Sequence, residues 1–287
     1  MARHFPQGLT VACVKWGAKY PAECVNILRA MVARHLDAPH RFVCLTDDPT
    51  GIGGGVEFLP LTPGRVGWWN KLEMFRPGLF AGRVLYLDLD VCVVGRLDDV
   101  AATKGIIDLE DWGWERHAYG SAVMVWDAGE HAEAWAEWTP VIAARFAPDG
   151  DQEWLTEIGG WAPLPAAWCC SYRNQARLAP PPGTRVVCFH GKPKPHAMVR
   201  KGWVAAAYTL SDLQIVEGIV LPGSEEHMVD MLAHRSKIGA VDGKGTYQLH
   251  KLRRAMLSIP LDRRRVAVDV GAHVGLWTMH LAKDFQF

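Results

Sequence analysis

The run VLYLDLDVCVV, residues 84–94, sets two carboxylates, Asp88 and Asp90, at the tip of an apolar, β-branched stretch. Such a stretch reads as a buried strand, and a strand ending there hands both acids to a loop. The backbone turns at a strand end, so both carboxylates can converge on one ion. Hard divalent cations take oxygen ligands of this kind. An ion held there could carry a diphosphate.

The elements that must position these acids alternate between strand and helix. LTVACVKW (9–16) reads as a strand, Pro21 to His35 as a helix opened by proline, and HRFVCLTDD (40–48) as a second strand running into an acidic loop. This is βαβ organisation. The glycines of GIGGG (51–55) open no helix and carry no lysine, so they read as a turn rather than a phosphate loop. A short helix around Trp69 to Phe75 precedes the strand that ends at Asp88. YGSAVMVWDAG (119–129) reads as a further buried strand with a turn, followed by an Ala-, Glu- and Trp-rich helix to about Phe146. In GDQEWLTEIGG (150–160) a helix is expected to start at Asp151, acting as an acidic cap, with Glu153 close behind. TRVVCFHGKPKPH (184–196) reads as a strand emptying into a loop of Gly, Pro and Lys.

With 287 residues, one large domain plus part of another is expected. Lys plus Arg balance Asp plus Glu at 31 each, so no basic field points to nucleic acid or an anionic membrane, and a neutral small molecule or saccharide is the natural partner. No stretch approaches the roughly 20 apolar residues that span a bilayer. The opening MARHFPQGLTVACV lacks the core and cleavage site of a signal peptide, so a cytoplasmic location is expected. Of seven Cys, four (Cys13, Cys44, Cys92, Cys188) lie in strand-like runs and none forms a paired zinc spacing; all, including Cys169 and Cys170, read as reduced core residues. Thirteen Trp is a high count, with Trp68, Trp69, Trp126 and Trp154 among those in the middle of the chain. Indole faces pack well against the C–H faces of sugars, although most Trp simply bury area.

Four ordered motifs, VLYLDLDVCVVGRLDD, YGSAVMVWD, DQEWLTE and VVCFHGKPKPH, resemble those of retaining nucleotide-sugar glycosyltransferases of the GT-A fold. The group is the one related to glycogenin and to bacterial lipooligosaccharide galactosyltransferases. The opening VACVKWGAKYPAECVNILRAMVARHL is similar to a bacterial branch of it, and the resemblance covers residues 8 to about 205. It implies an α/β, Rossmann-like mixed sheet flanked by helices. It also implies metal-dependent transfer of a hexose, with retention, from a nucleotide-diphosphate sugar (a UDP-sugar) to a glycan, lipid-linked or small-molecule acceptor. Carried over by position, Asp88 and Asp90 would bind Mn²⁺ or Mg²⁺ with His190 as third protein ligand. Lys194 would neutralise phosphate and Gly191 would let the backbone approach it. Lys71 would contact the donor, as would Ser121 in the fourth-strand motif, while Asp151 and Gln152 would face the sugar and Trp16 to Tyr20 would seat the base.

Two positions depart from the family pattern. His190 and Lys194 lie closer together than in relatives, with His196 following, so the phosphate contact is expected to be made differently. Gly120 stands where relatives usually carry Asn, which removes a polar side chain that could touch the sugar. That change supports an alternative, a binding protein of the same fold without turnover. A strand ending Asp-X-Asp also opens haloacid-dehalogenase-type phosphatases, with an Asp nucleophile. There the motif lies near the chain start, whereas more than 80 residues precede Asp88 here. On the transferase reading, Asp88→Asn or Asp90→Asn should abolish activity and leave folding intact, because each acid is expected on a solvated loop.

RRRVAVDVGAHVGLWTMHLAKDF (263–285) is different: a basic turn, an apolar strand to Asp269, a Gly-X-X-X-Gly turn and an amphipathic helix. It resembles the opening motif of FkbM-type S-adenosylmethionine methyltransferases, in which Asp269, Gly271 and Gly275 would border the cofactor. One βα unit cannot bury its own apolar faces. The expected organisation is a GT-A domain over 1–205, a helical connector over 206–262, and the truncated start of a methyltransferase-like domain over 263–287, from which no methyl transfer is expected.

Overall fold

The structure, a computed structural model, describes residues 4–112, 118–147, 150–198, 202–210, 213–216, 219–222 and 257. The connector and methyltransferase-like expectations fall almost wholly outside these residues, as does Trp114. The chain divides into two compact units, Met1–Leu210 and Ser211–Phe287. Of the second, two antiparallel strands are described, Leu213–Val216 and Ile219–Pro222.

The first unit is a mixed α/β layer structure. Its main sheet has six strands: β1 (Leu9–Lys15), β2 (Arg41–Thr46), β3 (Glu57–Pro60), β4 (Arg83–Leu87), β6 (Gly105–Asp108) and β7 (Tyr119–Asp127), in the order β3-β2-β1-β4-β7-β6. The first four run parallel; β7 is antiparallel to β4 and to β6. A second sheet sets β5 (Val91–Val93) antiparallel to β9 (Val186–Cys188), which pairs in parallel with β8 (Cys169–Ser171). The helices are α1 (Ala22–His35), α2 (Asp98–Ala102), α3 (Ala132–Ala136), α4 (Pro140–Arg145), α5 (Asp151–Ile158) and α6 (Gly202–Ala207), with a 3-10 helix over Gly67–Phe75.

Every residue of β1 is buried, as expected of a parallel strand covered on both faces. Strand alternation sorts its side chains into two cores. Val11 and Cys13 pack with Leu85, Leu87 and the apolar face of α1; Ala12 and Val14 pack with Tyr86, Trp126, Leu72, Phe75 and Trp154 on the other side. All seven cysteines are buried and free, in agreement with their reading as core residues.

The glycines at 51–55 do form a turn, and α1 secures it: Asn26 donates to the Gly51 carbonyl (3.0 Å) and accepts from the Gly53 N–H (2.7 Å). The single helix expected to run to Phe146 is instead two, α3 and α4. Pro140 has no N–H to continue a helix and excludes the helical conformation from the residue before it. Thr139 therefore caps a new start, its hydroxyl accepting from Ile142 N at 3.2 Å. The helix begins at Asp151 as expected, but Gly150, at φ +77°, is its cap residue, and the Asp151 carboxylate is committed elsewhere. Among the described residues, no helix is long and apolar enough to cross a membrane.

Candidate active site at the sheet switch point

From β1 the chain winds outward through β2 to β3, then returns to place β4 on the opposite side of β1. A crevice opens where the winding direction reverses, beyond the carboxyl ends of the two parallel strands. Trp16 follows β1 and Asp88 follows β4, so both stand at its mouth. A pocket there is lined by Trp16, Tyr20, Trp68, Lys71, Asp88 and Asp90, among others.

Lys71 comes from the 3-10 helix and reaches under the end of β4. Its Nζ lies 2.9 Å from Asp151 Oδ2, 3.2 and 3.3 Å from the two Asp88 carboxylate oxygens, and 2.7 Å from Ser121 Oγ. The Ser121 hydroxyl donates to Asp151 Oδ2 at 2.5 Å. Register explains this meeting: Leu87 pairs with Val123, Asp88 N donates to Ala122 O, and Ser121 thereby lies alongside Asp88. Burial opposes the charge on Lys71, but Asp151 and Asp88 overcome it and hold the ammonium above its ordinary range. Burial raises the Asp88 carboxyl above its usual value; Lys71 pulls it back and the Asp90 carboxylate adds to the rise. Tyr86 donates a short hydrogen bond to Asp88 Oδ1.

Asp90 belongs to a second group. The antiparallel pair β5 and β9 sets Val91 opposite Cys188, which carries residues 189–194 to the Asp90 side of the crevice. Lys194 Nζ donates to Asp90 Oδ2 at 2.5 Å and to the Phe189 carbonyl at 2.7 Å. Tyr20 OH donates to the same Asp90 oxygen at 2.8 Å. Burial, then the Asp90 charge, pushes the Tyr20 phenol well above its ordinary range, so it stays a donor. The loop that carries Tyr20 is secured through Gly17 N, which donates to Asp47 Oδ2 at 2.8 Å.

The acids are therefore not on a solvated loop. The side chains of Asp88 and Asp90 are 26% and 17% exposed, and each carries a lysine. Asp151 is likewise 5% exposed, behind Lys71 rather than at the pocket surface. Gln152 is half-buried and gives its main-chain carbonyl to Thr156 Oγ1. Gly191 adopts φ +70°, with the Arg173 guanidinium over the face where a Cβ would sit. Gly120 packs against Leu109: a Cβ there would come within 2.8 Å of Leu109 Cδ2, so a side chain at this position would meet the core instead of a sugar. Trp68 is one of the central tryptophans noted in the sequence, whereas Tyr86 is not a sequence candidate, although it lies two residues before Asp88 on the same strand face.

A hard divalent ion suits the oxygen donors of Asp88 and Asp90, which already attract cationic groups of the chain itself. His190 does not join them. Its Nε2 lies 2.6 Å from Ser171 Oγ, its ring stacks on Trp112 at 5.9 Å, and burial, with Arg173 and Lys194 nearby, holds its pKa below the usual value. Among the described residues, no three His, Cys, Asp or Glu side chains are grouped closely enough to hold a metal.

The chain is similar in structure to a galactosyltransferase, LgtC, solved in complex with donor and acceptor sugar analogues, at 16% identity and a TM-score of 0.49 over 65% of this chain and 88% of that one. It is also similar to the glycosyltransferase GlyE of Streptococcus pneumoniae TIGR4, at 12% identity and a TM-score of 0.47 over 66% of this chain and 56% of that one. A third is WbbM, a bifunctional glycosyltransferase in its apo form, at 12% identity and a TM-score of 0.47 over 68% of this chain and 48% of that one. No protein-family model matches the chain, and no curated protein matches it in sequence.

Proposed function

We propose that residues 1–205 form a metal-dependent glycosyltransferase of the GT-A type, moving a hexose from a UDP-sugar to a glycan, lipid-linked or small-molecule acceptor. The observation that carries this reading is the arrangement at the switch point: two carboxylates at the end of β4, each neutralised by a lysine, in a pocket edged by aromatic side chains. Asp88 and Asp90 would hold Mn²⁺ or Mg²⁺, with His190 completing the set on leaving Ser171. The bound ion would offset the charge of the departing nucleoside diphosphate. Lys194 sits on Asp90 by a single ammonium contact and would exchange that carboxylate for a phosphate oxygen, while the absence of a side chain at Gly191 lets the Arg173 guanidinium lie close to the same loop. Tyr20 and Trp16 would seat the base. Lys71, anchored by Asp151 and Ser121, would present its ammonium to the donor without having to be ordered at the moment of reaction. Transfer with retention belongs to the same reading, Gln152 supplying its amide to sugar hydroxyls.

The reading of an inactive relative rested on Gly120, and the contact of that position with Leu109 removes its support. The deciding experiment is donor hydrolysis across UDP-, GDP- and dTDP-sugars, with Mn²⁺ and with chelator, for the wild type and Asp88→Asn. The expected result is release of one nucleoside diphosphate that needs metal and falls at least about 100-fold in the mutant. No release from any donor, together with no metal-dependent thermal shift by UDP, would overturn the proposal.

A further inference from the structure

Trp68 stands out among the large apolar side chains of the first unit. The 3-10 helix turns the neighbouring Trp69 into the core, where it packs on Trp138, but leaves Trp68 46% exposed at the rim of the pocket that holds Lys71, Asp88 and Asp90. Isolated exposed apolar residues need no special explanation, but an indole fixed at a polar pocket does. Trp68 rests on Gly150. That glycine adopts φ +77°, and a Cβ on it would lie 2.5 Å from Trp68 Nε1, 2.7 Å from Cε2 and 2.9 Å from Cδ1, above the pyrrole ring, so one face of the indole abuts bare backbone and the other is left to the pocket side. Gly150 is also the residue before Asp151, which grips Lys71, so the indole and the ammonium are referenced to one helix start. A half-open indole, backed on one face by Gly150 and set beside charged hydrogen-bonding groups, matches one ligand chemistry well: a pyranose, with an apolar C–H face and a rim of hydroxyls.

We infer that Trp68 is the stacking platform for a pyranose ring at this pocket, held in place by Gly150. The inference rests on the transferase reading only for the source of that ring, donor or acceptor. It is tested on the full chain labelled with 5-fluorotryptophan, with the Trp68 ¹⁹F resonance assigned by its loss in Trp68→Phe. The probes are methyl β-D-galactopyranoside, methyl β-D-glucopyranoside and lactose, and separately UDP, UDP-galactose and UDP-glucose. Saturable movement of the Trp68 signal by a free glycoside is expected if the platform serves the acceptor; movement by a UDP-sugar but not by UDP assigns it to the donor hexose. In either case Trp68→Ala should weaken binding of that probe at least about tenfold, with Trp68→Tyr recovering most of it. Equal movement by UDP alone, or none by any sugar, overturns the inference. Wild-type donor hydrolysis is read separately: a glycoside that moves Trp68 in a protein hydrolysing no donor would leave the platform standing and remove the transferase.

Discussion

Asp88 and Asp90 are two residues apart, yet they answer to different lysines with different surroundings. Lys71 is 9% exposed and shared among Asp88, Asp151 and Ser121, whereas Lys194 is 19% exposed and sits on one carboxylate and one carbonyl. Removing Lys71 strands two partly buried carboxylates, so Lys71→Met should cost about 3–5 kcal/mol in urea unfolding. Lys194→Met leaves Asp90 with the Tyr20 hydroxyl and solvent, and should cost about 1–2 kcal/mol. The reverse ranking would show that Lys194, not Lys71, is the structural cation of the site. Asp88→Asn now carries a stability cost that a solvated position would not: Lys71 keeps Asp151 but loses one charge partner, about 1–3 kcal/mol. Activity of that mutant therefore has to be compared at a temperature where its fold is intact.

At the scale of elements, the 3-10 helix over Gly67–Phe75 does the positioning, since it supplies both Lys71 and Trp68. It is anchored at Glu73, whose side chain is fully buried and accepts from Thr62 Oγ1 (2.8 Å), Trp135 Nε1 (3.2 Å) and, in a short contact, Arg65. The Arg65 guanidinium also meets two indoles, 5.4 Å from the Trp135 ring and 4.8 Å from Trp138. Glu73→Gln keeps the shape and removes the charge, leaving Arg65 as a buried cation without its carboxylate. A loss of about 3–5 kcal/mol is expected, with the Trp68 resonance broadening or shifting as the helix loosens. A Glu73→Gln protein as stable as wild type would mean that α3 and the indoles hold this helix by packing alone. The periodicity of the sequence was enough to expect a helix here, but nothing in its spacing identified Glu73 as the anchor, because Trp135 is 62 residues away.

Across the whole molecule, two histidines outside the site make stability depend on pH. Burial, followed by Arg34 and Arg96, lowers the pKa of His35; burial, assisted by Lys104 against Glu133 and Glu130, lowers that of His131, which stacks on Trp161 at 3.7 Å. In each case the unfolded chain binds the proton more readily, so the stability is present above the ordinary histidine pKa and is lost as pH falls through it. The melting temperature should therefore drop between about pH 7.5 and pH 5.5. His131→Asn, which tolerates the φ of +56° at this position, should flatten that slope; an unchanged slope would shift the effect to other groups.

The amino-acid order alone determined the α/β class, the first strand and helix, the turn at 51–55, the buried reduced cysteines and the strand ending at Asp88, because each is written in local periodicity or in punctuation by Gly and Pro. The same order brought Lys71, Ser121, Asp151, Tyr20 and Lys194 forward as candidates through the family motifs. Only the tertiary structure decided how they divide: Lys71 with Asp88 and Asp151, Lys194 and Tyr20 with Asp90, and His190 with Ser171. These pairings span between 17 and 104 residues of sequence. They are set by the β4–β7 and β5–β9 registers and by the reversal of winding at β1, which are properties of strand pairing across the sheets and leave no mark in any local stretch of the chain.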